Sequence, residues 1–122
     1  LSELQEFLAW FIPFLEQEEL ARFLGEMLYW RGRLSIALGD LRSAEQDFIR
    51  ARQLLMQTGV VALLWEVDIA LAQVYASLGD SQQAQTARQR SRDQLQRLAA
   101  GIADSQLQRS FLNRPAVAAV LQ

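Results

Sequence analysis

The tripeptide Leu38-Gly39-Asp40 returns as Leu78-Gly79-Asp80 forty residues later, and an alanine follows each aspartate by four residues, Ala44 and Ala84. A glycine just past an apolar-periodic stretch suits the left-handed turn that ends a helix, and the aspartate after it can cap the next one. Each corner therefore predicts two antiparallel helices joined tightly. A period of this length is the mark of a helical solenoid, in which no hairpin buries its apolar face alone and neighbours must stack.

The apolar periodicity places the other elements. Ser2 is positioned to cap a first helix with Leu4, Leu8 and Phe11 on one stripe, widened by Phe7, Trp10, Phe14 and Leu15. Pro13 either ends that helix or bends it, since its ring clashes with the preceding turn. A second helix is expected from Glu18 to Leu38 and a third from Leu41 to Met56, the latter with a seam of Ala44, Phe48, Ala51 and Leu55. Thr58-Gly59 breaks the third helix, and a fourth runs from Val60 to Leu78 with Leu64, Leu71, Tyr75 and Leu78 facing one way. A fifth, Ser81 to Ala100, continues the seam at Ala84, Ala87, Ser91, Leu95 and Leu98 with less bulk. Asp104 to Leu112 and a turn or helix opened by Asn113-Arg114-Pro115 close the chain. There is no alternating β pattern.

Composition narrows the chemistry. The 122 residues are 51% apolar, enough for one continuous core. The chain contains neither histidine, lysine nor cysteine, and all 12 basic residues are arginine. The usual general base, the Schiff-base amine, the thiolate zinc site and most transition-metal sites are removed together. The expectation is a protein without catalytic function, metal or cofactor. The most hydrophobic stretch, Leu4 to Leu15, carries Gln5 and Glu6 and is interrupted by Pro13, so neither a membrane span nor a signal peptide is read there. A soluble, cytoplasmic protein is expected.

The corner residues and the seam resemble the tetratricopeptide repeat. In one unit Gly32, Gly39-Asp40, Ala44, Phe48 and Ala51 match its pattern, with Leu28, Arg31 and Ser35 replacing the tryptophan, leucine and tyrosine. In the next, Leu71-Ala72, Tyr75, Gly79-Asp80 and Ala84 match, with Arg88 and Ser91 replacing phenylalanine and alanine. The forty-residue period is similar to the long variant of C-terminal regions in large bacterial signalling and transcriptional regulators, such as activators related to the maltose-regulon activator. The resemblance implies an all-α, right-handed superhelix of antiparallel hairpins with a short C-terminal capping helix. Residues 1–15 would be the second helix of a preceding partial repeat, 17–57 and 60–100 two repeats, and 102–122 the cap, with the whole chain a single domain excised from the C-terminal end of a larger protein.

If the first helix of each unit lines the concave face, as the resemblance implies, Glu26, Tyr29, Arg33 and Ile36 face the groove from one unit, and Glu66, Ile69 and Gln73 from the next. Such a lining suits a peptide or protein partner, with tyrosine and arginine as anchors. The carboxylate clamp of chaperone-binding relatives needs lysine and asparagine in the groove; here lysine is lacking and the one asparagine is Asn113. Arg88, Arg90, Arg92 and Arg97 make the fifth helix basic, but no aromatic there could stack on bases, so nucleic acid is disfavoured. Glu16, Glu18 and Glu19 are read as dipole partners of a helix start rather than as a metal site. Phe7, Trp10, Phe11 and Phe14 form an apolar edge suited to self-association as a homo-oligomer. Two further readings stay open, a segment that senses a small effector and a purely structural or oligomerising end cap.

Overall fold

The computed structural model describes residues 2–17 and 20–122, and every regular element among them is an α-helix. They are α1 (Ser2–Gln17), α2 (Ala21–Ala37), α3 (Leu41–Gln57), α4 (Leu64–Ser77), α5 (Ser81–Ala100), α6 (Ser105–Leu112) and α7 (Pro115–Leu121). Helices α2 and α3 pack as one hairpin and α4 and α5 as a second. Helix α4 lies against both α3 and α2, α1 against α2, and α7 against α5.

The two predicted corners have almost the same conformation. Gly39 and Gly79 turn at φ 81° and 82°, a region open to glycine because it lacks a Cβ. Asp40 and Asp80 then donate their backbone N–H to the carbonyls of Ser35 and Tyr75, each at 2.9 Å, closing the end of the first helix. Their carboxylates accept from the backbone N–H of Ser43 and Gln83, each at 3.1 Å, opening the second. Hydrogen bonds from the Ser43 hydroxyl and the Gln83 amide, followed by those backbone bonds, hold both carboxyls below their ordinary range. One aspartate thus serves two helix ends, which is why the linker is so short.

The helices of the first hairpin cross closely because Gly32 leaves room for Phe48. Phe48 is fully buried, and a Cβ placed on Gly32 would sit 2.5 Å from its Cε1. Forty residues on, the corresponding pair is Ala72 and Arg88. Ala72 stays buried, whereas Arg88 points to solvent, so the second crossing lacks the aromatic filler. The main core runs from Leu8, Ile12 and Leu15 of α1 through Leu28, Phe48 and Leu55 to Val67, Leu71 and Ala87. A smaller core of Leu95, Val117 and Val120 lets α7 cover the free flank of α4 and α5, with Trp65, Ile69 and Phe111 at its margin.

Three expectations change. Helix α1 continues through Pro13 to Gln17, and its buried stripe is Leu8, Ile12 and Leu15; Leu4, Phe7, Trp10 and Phe14 are exposed and Phe11 is half-buried. The stripe spaced four and three residues apart that contains Ile12 gives α1 an inward face without using the aromatics. Helix α2 starts at Ala21 instead of Glu18; Glu18 and Glu19 lie outside the described residues. Helix α4 starts at Leu64 instead of Val60. Val60 N–H closes the end of α3 on the Leu55 carbonyl at 2.9 Å, and no capping side chain follows until the turn from Val61 to Leu64. The C-terminal segment opened by Pro115 is a helix, with proline in its first turn where a missing N–H costs nothing.

Gly32→Ala should destabilise the fold by about 1–3 kcal/mol through overpacking against Phe48. Urea unfolding measures it, and Gly32→Ala with Phe48→Leu should recover part of the loss. An unchanged midpoint for Gly32→Ala would show that the crossing is looser than described.

Candidate interaction face

Helices α2, α4 and α7 border an open hollow of about 320 Å³. Tyr29 and Arg33 enter it from α2, one turn apart, and Glu66, Ile69 and Gln73 from α4 at spacings of three and four. These spacings put each group on one face of its helix. Trp65 completes the α4 wall, Arg88 reaches in from α5, and the small residues Ala116 and Ala119 of α7 form the far side.

Five of the seven residues expected on the groove therefore meet at one place. Glu26 is exposed but borders a separate hollow of about 220 Å³ beside Leu55 and Val60. Ile36 is half-buried against the main core. Tyr29 is not a free anchor: its ring is buried against Phe48, with centroids 5.9 Å apart. Its hydroxyl accepts from Arg33 Nη1 at 2.9 Å, and the guanidinium carbon lies 5.8 Å from the ring centroid. Tyr29 thus aims Arg33, and Arg33 and Arg88 are the exposed cations of the hollow, with Glu66 as its carboxylate.

The interior holds ion pairs that periodicity alone does not disclose. Asp68 on α4 is fully buried; its Oδ1 accepts from Arg52 Nε at 3.0 Å and Arg90 Nε at 3.1 Å, and its Oδ2 from Gln94 Nε2 at 2.8 Å. One carboxylate so ties α3, α4 and α5 together. Asp47 makes a two-pronged pair with Arg31, both bonds 2.8 Å, joining α2 to α3. Those bonds to Asp47 raise the arginine's pKa, against the opposing effect of its burial. A fourth arginine, Arg92, donates to the carbonyls of Val120 at 3.0 Å and Gln122 at 2.6 Å and closes the end of α7. The signal for Asp68 was present as a lone acid inside the apolar run Val67 to Leu71. Its partners, on two other helices, were not.

Phe7, Trp10, Phe11 and Phe14 touch one another along α1 with ring centroids 4.9 to 6.1 Å apart. Trp10 is 59% exposed. Among the described residues no cluster of acidic side chains could hold a metal ion, and no helix is long and apolar enough to cross a membrane. Compared with family models, with curated proteins and with solved structures, the chain matches none.

Asp68→Ala should cost about 1–3 kcal/mol, because it takes the shared acceptor from the Gln94 amide and from two arginine side chains that are only 26% and 35% exposed. Asp47→Ala should cost about 1 kcal/mol or less, since the Arg31 side chain is 40% exposed and can return to water. Chemical unfolding of the two variants checks the order; a milder effect at Asp68 would contradict the pinning role given to it.

Proposed function

We propose that this chain is a non-catalytic interaction module, a tetratricopeptide-like array that receives a peptide or protein segment on the face formed by α2, α4 and α7. The observation that carries this reading is the convergence of Arg33, Glu66, Ile69, Gln73 and Arg88 on one open hollow. It offers a half-buried apolar floor at Trp65 and Ile69 with charged and amide groups at the rim, the composition expected of a recognition surface. Two guanidiniums against one carboxylate favour a segment that carries an acidic residue beside an apolar one.

The forty-residue repeat supports placing the module in a multidomain bacterial signalling or transcriptional regulator of the cytoplasm, where arrival of the partner would be relayed to other domains. Nucleic acid is a poorer fit. Of the basic residues of α5, Arg90 and Arg92 are engaged within the fold on Asp68 and on the α7 carbonyls.

Peptides selected from a random library displayed against this chain test the reading. They should be enriched in acidic residues, and Arg33→Glu with Arg88→Glu should weaken them by about tenfold or more. Both residues are exposed, so the circular dichroism of the double variant should stay unchanged. Selected peptides that bind the double variant as tightly as the parent would remove the face from consideration.

The exposed aromatic edge of α1 is read as a contact for a second copy of the chain. Light scattering over a range of concentrations should show mass rising towards a dimer, and Trp10→Glu should abolish the rise. A constant monomer mass would end that reading.

A further inference from the structure

A second hollow, of about 490 Å³, opens between α3 and α5 where the chain enters α4, and it shares no residue with the interaction face. Its walls are of two kinds. Met56, Val61 and Leu98 supply hydrocarbon, and the first two are 54% and 55% exposed. Arg52, Gln94 and Arg97 supply polar groups.

Those polar groups are out of balance. Arg52 and Arg90 each give Nε alone to the single carboxylate of Asp68, and Arg52 Nη1 meets the Met56 sulfur at 3.2 Å, a weak acceptor. Two guanidiniums on one carboxylate leave a net positive charge. Arg97, exposed on α5, adds another, and its side chain makes no hydrogen bond or ion pair among the described residues. Gln94 is constrained from the other side. Asp68 as a carboxylate only accepts, so the Gln94 amide must turn Nε2 towards it, which leaves Oε1 buried and without a partner in the protein. A buried acceptor left unpaired is costly.

We propose that this hollow binds a small organic carboxylate that carries an aliphatic or aromatic body. The carboxylate is taken by Arg52 and Arg97, whose guanidinium forks match two oxygens in one plane. The body lies on Met56, Val61 and Leu98. The volume falls in the range of about 300–1,000 Å³ usual for small-molecule sites. This site is separate from the interaction face, and either can stand without the other.

N-acetyl-L-leucine has both features, and N-acetyl-L-leucinamide has the same body without the charge. Titrated into the full chain and followed by proton–nitrogen NMR, the acid should give saturable shifts at the Gln94 side-chain amide and at Arg97 Nε. The amide should bind about tenfold more weakly, the loss expected for one charge-assisted pair. Arg97→Ala should weaken the acid by about the same factor with the fold intact, since Arg97 has no partner to lose, and Arg88→Ala in the other hollow should leave it unchanged. Shifts that fail to saturate, equal affinity for acid and amide, or equal sensitivity to Arg88→Ala would overturn the assignment. An acidic peptide that shifts these resonances where N-acetyl-L-leucine does not would also overturn it, in favour of a protein partner.

Discussion

A buried carboxylate holds the second hairpin in place. Asp68 has no solvent exposure, and the groups that satisfy it come from the helix before its own and the helix after it. The desolvation of a lone carboxylate would exceed the gain from most of its neighbours, so Asp68 tolerates burial only while α3 and α5 present Arg52, Arg90 and Gln94 together. Apolar packing between α3 and α4 is adaptable and would accept small slips. The ionic cluster is not, because it demands particular donors at hydrogen-bond distance. Register between the hairpins therefore rests on one acid.

Within each hairpin a different constraint operates. The Gly-Asp corner reverses the chain in two residues, and Asp40 and Asp80 close one helix and open the next. Antiparallel packing then follows from the linker being too short for any other arrangement. Closeness of approach is set by Gly32 under Phe48 in the first hairpin; in the second, Ala72 stands in the glycine's place and Arg88 in the ring's. That replacement links fold to site. The position that fills the core of one hairpin becomes, in the other, a cation at the rim of the hollow beside α7. Helix α7 packs on α5 through Leu95, Val117 and Val120, and Arg92 fastens its end.

Much of this was legible in the sequence, for local reasons. The corners, the Ala44–Leu55 seam and the helical class all arise from residues within a few positions of one another, where glycine, aspartate and periodic apolar residues act directly. The resemblance puts Arg33 on one face of α2 and Glu66, Ile69 and Gln73 on one face of α4, and all four line the same hollow. Periodicity does not report depth, so Tyr29 was expected at the surface and lies in the core, and Ile36 packs inward. On α1 the aromatic residues are the denser pattern, yet the buried stripe is the aliphatic one, Leu8, Ile12 and Leu15. The ion pairs were hidden for another reason. Arg31–Asp47 and Arg52–Asp68 each span 16 residues and Arg90–Asp68 spans 22, and nothing in a single sequence says which distant arginine meets which acid.

The central claim is that the two hairpins form one cooperative body whose joint is Asp68, so that the α2–α4–α7 face is a single rigid surface. Native-state hydrogen exchange tests it most directly. The slowest amides of α2 and α3 should open with the same free energy as those of α4 and α5, and Asp68→Ala should split them into two classes. Separate opening energies in the unaltered chain would contradict the account, because the joint would then not be what holds the hairpins together.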